Sequence, residues 1–87
     1  MKYTIKIEAK ALKSIKKFPK KDALKIKDAI ESLSDDPRPI GHIKMKGNNK
    51  PSRYRLRVGN YRVIYHIKDK ELFVIIIDIG NRKNIYE

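Results

Sequence analysis

Four arginines lie between positions 53 and 62, and their spacing suggests phosphate chemistry. Arg53, Arg55 and Arg57 alternate with other residues, and Arg62 follows the pair Gly59-Asn60. A Gly-Asn pair between two alternating runs is typical of a two-residue hairpin turn. This turn places Arg57 directly opposite Arg62 and puts all four arginines on one face of the hairpin.

Like charges in opposing positions destabilise a strand pair, so the pairing of Arg57 with Arg62 needs a reason. An anion bound between them would supply one, because guanidinium groups match phosphate oxygens in a bidentate geometry. The alternative is a solvated edge hairpin whose arginines spread into water. We interpret the pattern as a phosphate-binding face.

The overall charge agrees with an anionic partner. The chain has 22 Lys and Arg against 10 Asp and Glu, a net charge of +12 on 87 residues. Such a potential attracts a polyanion, although an acidic protein, a membrane surface or simple solubility would also fit. With no Cys and two His, a disulfide, a thiol nucleophile and a Cys-ligated zinc are excluded. We expect no metal and no other cofactor.

The elements that position this hairpin are predicted from periodicity. Alternation at the start indicates a strand, and apolar steps of three and four residues then indicate two helices separated by Pro19. The predicted elements are strand 3–7, helices 9–18 and 20–34, a possible short strand 43–45, and strands 53–58, 61–67 and 72–79. The order β-α-α-β-β-β(-β) predicts an α+β fold over residues 1–87 as a single domain, with a helical hairpin packed on one face of a small, mainly antiparallel sheet. The hairpin tyrosines, at positions 54, 61 and 65, should face that core.

Lysines cover the outer faces of both predicted helices. Lys10, Lys13 and Lys17 could bind an RNA backbone, or they could form an ordinary solvated helix face.

The longest apolar run, residues 72–77, is too short to span a bilayer, and the N-terminus lacks the apolar region of a signal peptide. We therefore expect a cytoplasmic protein without membrane contact.

The segment Tyr54-Arg-Leu-Arg-Val-Gly-Asn-Tyr-Arg-Val-Ile-Tyr65 resembles the hairpin signature of the RelE/ParE toxin superfamily. The stretch Ile79-Gly-Asn-Arg82 and the late Tyr86 also match, as do the opening strand, the two basic helices and the Pro-Arg-Pro stretch. The resemblance covers essentially the whole chain. It implies a RelE-like fold and the toxin of a type II toxin–antitoxin system.

The RelE branch implies cleavage of messenger RNA in the ribosomal A site, by attack of a 2′-hydroxyl on the adjacent phosphorus. By this resemblance Arg62 holds the scissile phosphate, Arg82 stabilises the leaving group or transition state, and Tyr86 contacts the substrate. Arg55 and Arg57 stand where relatives carry lysines, and we include both in the catalytic set. Because arginine stays protonated, it is a poor general base, and the sequence assigns no proton acceptor.

Further expectations concern partners and alternatives. Arg53 and the three helix lysines are predicted to bind RNA. A RelB-like antitoxin is implied, as a short acidic or amphipathic chain forming a toxin–antitoxin hetero-oligomer, with the ribosome and mRNA as the other partners. The alternatives are a ParE-type toxin that inhibits gyrase and a non-catalytic RNA-binding module. The joint presence of Arg62, Arg82 and Tyr86 favours the ribonuclease.

Overall fold

The computed structural model describes residues 2–46 and 52–81, and its elements follow the predicted order. They are β1 (Thr4–Ile7), α1 (Ala9–Lys16), α2 (Lys20–Ser32), β2 (Ile43–Lys44), β3 (Arg53–Val58), β4 (Tyr61–Lys68) and β5 (Phe73–Asn81). The predicted bounds differ from these by at most two residues. Such differences are ordinary, because element ends fray.

The strands form one five-stranded sheet in the order β1-β5-β4-β3-β2. β1 pairs with β5 in parallel, and the other three pairs are antiparallel. β5 therefore lies inside the sheet between β1 and β4, which explains its nearly continuous apolar sequence. The predicted α+β fold with a mainly antiparallel sheet is confirmed.

Both helices pack on the same face of the sheet. Pro19 separates them, since its ring removes a backbone N–H donor and disfavours helix in the residue before it. α1 contributes Ala11 and Ile15 to the core, and α2 contributes Ile26 and Ile30. They pack with buried residues of β3, β4 and β5, among them Tyr54, Val63, Tyr65, Ile67, Val74, Ile76 and Ile79. No helix within residues 2–46 and 52–81 is long and apolar enough to cross a membrane.

Three segments that are distant in sequence meet in a cluster of Tyr3, Arg38 and Asp69, which we call the Arg38 clamp. Arg38 donates to both carboxylate oxygens of Asp69, with its Nη2 2.9 Å from Oδ2 and its Nη1 3.2 Å from Oδ1. The Tyr3 hydroxyl donates to Oδ1 over 2.7 Å. These hydrogen bonds, first from Arg38 and then from Tyr3, lower the pKa of Asp69 to about 2. The hydrogen bond to Asp69 raises the pKa of Arg38.

A buried tyrosine fastens the same loop to the sheet. Tyr65 is fully buried, and its hydroxyl donates to the Pro37 carbonyl oxygen over 2.8 Å. Burial is the largest cause that raises the pKa of Tyr65 to about 12. The Tyr65 ring stacks on Tyr54 with 5.8 Å between centroids, and the Arg38 guanidinium lies 5.5 Å from the Tyr54 centroid. The segment between α2 and β2 is therefore fixed by packing as well as by charge.

Candidate functional site

The hairpin of β3 and β4 has the register that the Gly59-Asn60 turn predicts. Val58 pairs with Tyr61, Arg57 with Arg62, and the ladder continues to Arg53 with His66. Gly59 has φ +59°. A positive φ at the first turn position is natural for glycine and matches the twist of the two strands. The direct opposition of Arg57 and Arg62 is confirmed.

Arg53, Arg55, Arg57 and Arg62 lie on the side of the hairpin turned away from the helices, and we call them the arginine face. Their exposure is unequal: Arg53 and Arg57 are exposed, Arg55 is half-buried, and Arg62 retains only 7% of its accessible surface. Arg62 is therefore buried although it belongs to the face turned away from the helices. β4 lies between two other strands, so a side chain on it has neighbours on both sides.

The burial of Arg62 increases its electrostatic effect. A cation that is held in a site of low effective dielectric acts on a nearby anion more strongly than one in water. Arg57, opposite and exposed, offers a second guanidinium on the solvent side. On the other flank Arg62 pairs with Gly80, which has no side chain to occupy the face at that position. An anion reaching Arg62 would therefore meet two cations.

A β-bulge that the sequence analysis did not anticipate shapes the β5 side of the site. Ile76 and Ile79 are three residues apart and would face opposite ways in a regular strand, yet both are buried. The register between β4 and β5 shifts at Ile64/Tyr65, so that Ile64 pairs with Asp78 and Tyr65 with Ile76. The extra residue keeps Asp78 out of the core. The signal in the sequence was the three-residue spacing of Ile76 and Ile79, because a regular strand buries residues at even spacings.

Asp78 joins the sheet to the lysines of α1. Its Oδ2 lies 3.5 Å from Lys10 Nζ, within ion-pair distance. Lys10 and Lys13 of α1, together with Lys17 directly after it, line a shallow depression of about 380 Å³. The structure thus brings together the three lysines predicted to bind RNA.

The hairpin histidine and tyrosines have structural contacts. His66 Nδ1 lies 3.0 Å from the Ser52 carbonyl oxygen, at the end of the ladder opposite Arg53. The Tyr61 hydroxyl donates to Asp22 Oδ2 over 2.8 Å, and this hydrogen bond raises the pKa of Tyr61. The prediction that the hairpin tyrosines pack towards the helices is confirmed.

Two predicted catalytic residues, Arg82 and Tyr86, lie outside the described residues. Within the described ranges no three His, Asp or Glu side chains come together in a way that could hold a metal ion. The described part of the site is therefore the arginine face, the bulged end of β5 and the lysines of α1.

Comparison with known proteins identifies the class to which this arrangement belongs. Residues 5–86 match the sequence model described as the ParE toxin of type II toxin–antitoxin systems. The chain belongs to this family, and it is a RelE-like toxin of a toxin–antitoxin system. The fold agrees: the crystal structure of the archaeal RelE–RelB complex from Pyrococcus horikoshii OT3 matches with a TM-score of 0.84 at 28% identity, over 98% of this chain and 100% of that chain.

Two curated relatives extend the likeness over all or most of their sequences. The protein RelE1 of Methanocaldococcus jannaschii is 31% identical over 90 residues, covering 100% of this chain and 98% of the relative. The mRNA interferase toxin RelE of Escherichia coli K12 is 26% identical over 83 residues, covering 95% of this chain and 86% of the relative.

Proposed function

We propose that this toxin is a ribosome-dependent endoribonuclease that cleaves messenger RNA. The observation that carries the proposal is the direct opposition of Arg57 and a buried Arg62 on one face of the sheet. Two opposed guanidinium groups weaken the strand pair unless an anion lies between them, and RNA presents phosphates. The name of the E. coli relative, an mRNA interferase, supports the same reading at low identity.

In the proposed reaction the 2′-oxygen of one nucleotide attacks the adjacent phosphorus. The 2′-oxygen–phosphorus bond forms, the bond from phosphorus to the 5′-oxygen breaks, and a 2′,3′-cyclic phosphate remains. The proton leaves the 2′-hydroxyl, and the departing 5′-oxygen gains one. The protein must hold the chain in line and stabilise the negative charge that grows on the phosphate oxygens.

The arginine face would carry most of this work. Arg62 would bind the scissile phosphate, because it is buried and fixed by its strand, and Arg57 would reach the same phosphate from the solvent side. Arg55 lies two residues along β3 and would bind a neighbouring group of the substrate. Arg82 and Tyr86 keep the roles that the resemblance implies, stabilising the leaving group and contacting the substrate.

RNA outside the scissile position would run along the basic surface. Arg53 extends the arginine face on β3, and Lys10, Lys13 and Lys17 provide a stripe of cations on α1. Phosphate contacts of this kind supply affinity without reading sequence. The ribosome would position the messenger and so complete the binding site.

A RelB-like antitoxin is the proposed protein partner, and the toxin would act in the cytoplasm, where messenger RNA is translated. The likeness to the toxin chain of a RelE–RelB complex supports this partner. The net charge of +12 favours an antitoxin with acidic segments, because opposite charges accelerate association. Such a complex would be a hetero-oligomer.

The direct test is cleavage of messenger RNA on purified ribosomes by the purified chain. We expect products that end in a 2′,3′-cyclic phosphate or 3′-phosphate, and we expect cleavage to persist with a chelator when a polyamine stabilises the ribosomes. In this proposal the arginine face supplies the positive charge for this step in place of a metal ion. Abolition by chelator, or 3′-hydroxyl products, would contradict the mechanism.

The second candidate function is inhibition of DNA gyrase. The observation that favours it is the matching family model, which is named for ParE. Induced expression of the chain in cells separates the two. The ribonuclease predicts that protein synthesis stops and messenger RNA is cut while DNA supercoiling is still normal. Early loss of supercoiling with intact messenger RNA would favour the gyrase-directed toxin.

A further inference from the structure

A second depression adjoins the arginine face at the edge of the sheet. It has a volume of about 390 Å³ and is lined by Ile43, Lys44, Met45, Lys46 and Arg55. Most of its surface is apolar, although it lies at the outer strand of the sheet. Ile43 keeps 46% of its surface exposed. The core does not require these apolar side chains, so their position at the surface needs another explanation.

The register shows that the depression and the arginine face are continuous. Ile43 pairs with Arg55, so both side chains stand on the same face of the sheet. The Met45 amide donates to the Arg53 carbonyl oxygen over 2.8 Å, which continues the same ladder by one residue. Arg57 follows Arg55 by two residues on that face, a rise of about 7 Å. Arg55 therefore belongs to the depression and to the arginine face.

The lining has the chemistry of a nucleotide site. Ile43 and Met45 provide an apolar floor, and Arg55, which pairs with Ile43 on the same face, places a cation beside it. Lys44 and Lys46 border the depression. A nucleotide has a base whose face gains from contact with apolar or aromatic groups and a phosphate that gains from nearby cations. The volume lies within the range of small-ligand pockets, which begins at about 300 Å³. An acidic peptide segment without apolar side chains would use the cations but would leave the apolar floor unfilled.

We propose that this depression binds one nucleobase of the RNA next to the phosphate held by Arg57 and Arg62. It is therefore a subsite that sets which sequences are cut. This inference rests on the proposed ribonuclease function and deepens it. The apolar floor selects a base of suitable size and stacking strength. Arg55 binds the phosphate of the same nucleotide and so connects the depression to the arginine face.

The first test does not depend on cleavage. Met45 and Met1 are the only methionines of the chain, so a methyl spectrum of methionine has two signals. The full chain is titrated with adenosine 5′-monophosphate, with uridine 5′-monophosphate and, as control, with inorganic phosphate. We expect the nucleotides to shift the Met45 and Ile43 methyl signals saturably, at concentrations at which inorganic phosphate does not. Ile40, which is fully exposed and outside the depression, should stay unchanged.

The absence of such shifts, or equal shifts with inorganic phosphate, would overturn the nucleobase subsite. Equal shifts would mean that phosphate binds to the cations of the depression and that the nucleobase adds nothing. A signal that responds to an acidic antitoxin peptide and not to nucleotides would assign the depression to protein docking instead, and would also overturn the proposal.

The second test compares Ile43→Glu with the matched control Ile40→Glu on a mixed RNA pool. The new carboxylate in the depression should raise KM roughly tenfold, as expected for one lost stacked base, and should change the preferred cleavage sites. The control should keep the KM and the cleavage sites of the parent. If the parent cleaves and Ile43→Glu cuts the same sites with the same KM, the subsite is wrong while the ribonuclease stands. If the parent does not cleave, the ribonuclease is wrong, and the titration alone decides the subsite.

Discussion

Two clusters in this molecule, the Arg38 clamp and the arginine face, use arginine in opposite ways. In the Arg38 clamp the guanidinium meets an acid, with two hydrogen bonds to the Asp69 carboxylate. On the arginine face the strand register sets Arg57 against Arg62, a pair of like charges. The clamp uses charge to join parts of the fold. The face concentrates positive charge at a place where the strand pair itself gains nothing from it.

The two clusters also differ in what holds them. The clamp joins segments far apart in sequence, since Tyr3 precedes β1, Arg38 follows α2, and Asp69 lies in the turn after β4. The arginine face belongs to one local hairpin, and the buried side chains on its other side keep it in place. Changes in the clamp should therefore lower stability and spare activity, and changes in the face should do the reverse.

The largest expected effect is the loss of activity in Arg62→Met. Methionine keeps much of the length of a side chain that is 7% exposed, and removes its charge. Cleavage should fall by about 10²–10³-fold, the usual cost of one preorganised transition-state contact. The substitution also relieves the like-charge pairing with Arg57, so stability should change far less than activity. The measurements are RNA cleavage and thermal melting. A variant that melts far below the parent would make Arg62 a structural residue.

Tyr65→Phe tests the support of the clamp loop. It removes the hydroxyl that donates to the Pro37 carbonyl oxygen and leaves that buried acceptor unsatisfied. We expect a loss of about 1–3 kcal/mol in the free energy of unfolding, with the cleavage rate per folded molecule unchanged. Denaturant titration measures the first and a cleavage assay the second. A rate that falls while stability holds would connect this loop to the active site.

Arg38→Met is the matched counterpart of Arg62→Met. It removes both hydrogen bonds to Asp69 and the contact with the Tyr54 ring. Because both partners are partly exposed, we expect a decrease in melting temperature of a few degrees rather than unfolding. Cleavage at a temperature where the variant is folded should equal that of the parent. If the two methionine variants lose activity alike, the distinction between clamp and face fails.

The clamp also predicts a pH dependence of stability. The folded pKa of Asp69 is about 2, below the value of about 3.9 expected in the unfolded chain. The charged carboxylate therefore contributes its full stabilisation above about pH 4, and that contribution is lost as the pH falls towards about 2. Melting curves of the parent and of Asp69→Asn should converge over this window. A difference that persists at the acidic end would mean that the charge of Asp69 is not the cause.

The smallest effects are expected for the ion pair of Lys10 with Asp78, which connects the arginine face to the helix lysines. In this ion pair the lysine is exposed and the carboxylate is half-buried, so breaking it should change stability by about 1 kcal/mol or less. RNA affinity should move in opposite directions, falling in Lys10→Met and rising in Asp78→Asn. For Lys10→Met the slope of log affinity against log salt should decrease by about 0.7, the value for one phosphate contact on single-stranded RNA. An unchanged slope would place Lys10 outside the RNA path.

Much of this architecture could be predicted because its signals are local. The alternation of residues 53–58 and 61–67 around Gly59-Asn60 was enough for the strand register, since a two-residue turn leaves one way to pair the strands. The apolar steps of three and four residues likewise predicted the second helix, and Ile26 and Ile30 are buried on its inner side. Among the predicted catalytic residues, Arg82 and Tyr86 remain predictions, as do the roles of the arginines.

The tertiary structure decided what depends on neighbours from elsewhere in the chain. Arg62 and Arg57 look alike in sequence, yet one is buried and the other exposed, because β4 is flanked on both sides while the turn end of β3 is open. The bulge that brings Ile76 and Ile79 to one face follows from how β5 fits against β4 and the helices. The contacts of Arg38 with Asp69 and of Lys10 with Asp78 join positions 31 and 68 residues apart. Periodicity carries information about nearest neighbours along the chain, and it carries none about which distant segments will meet.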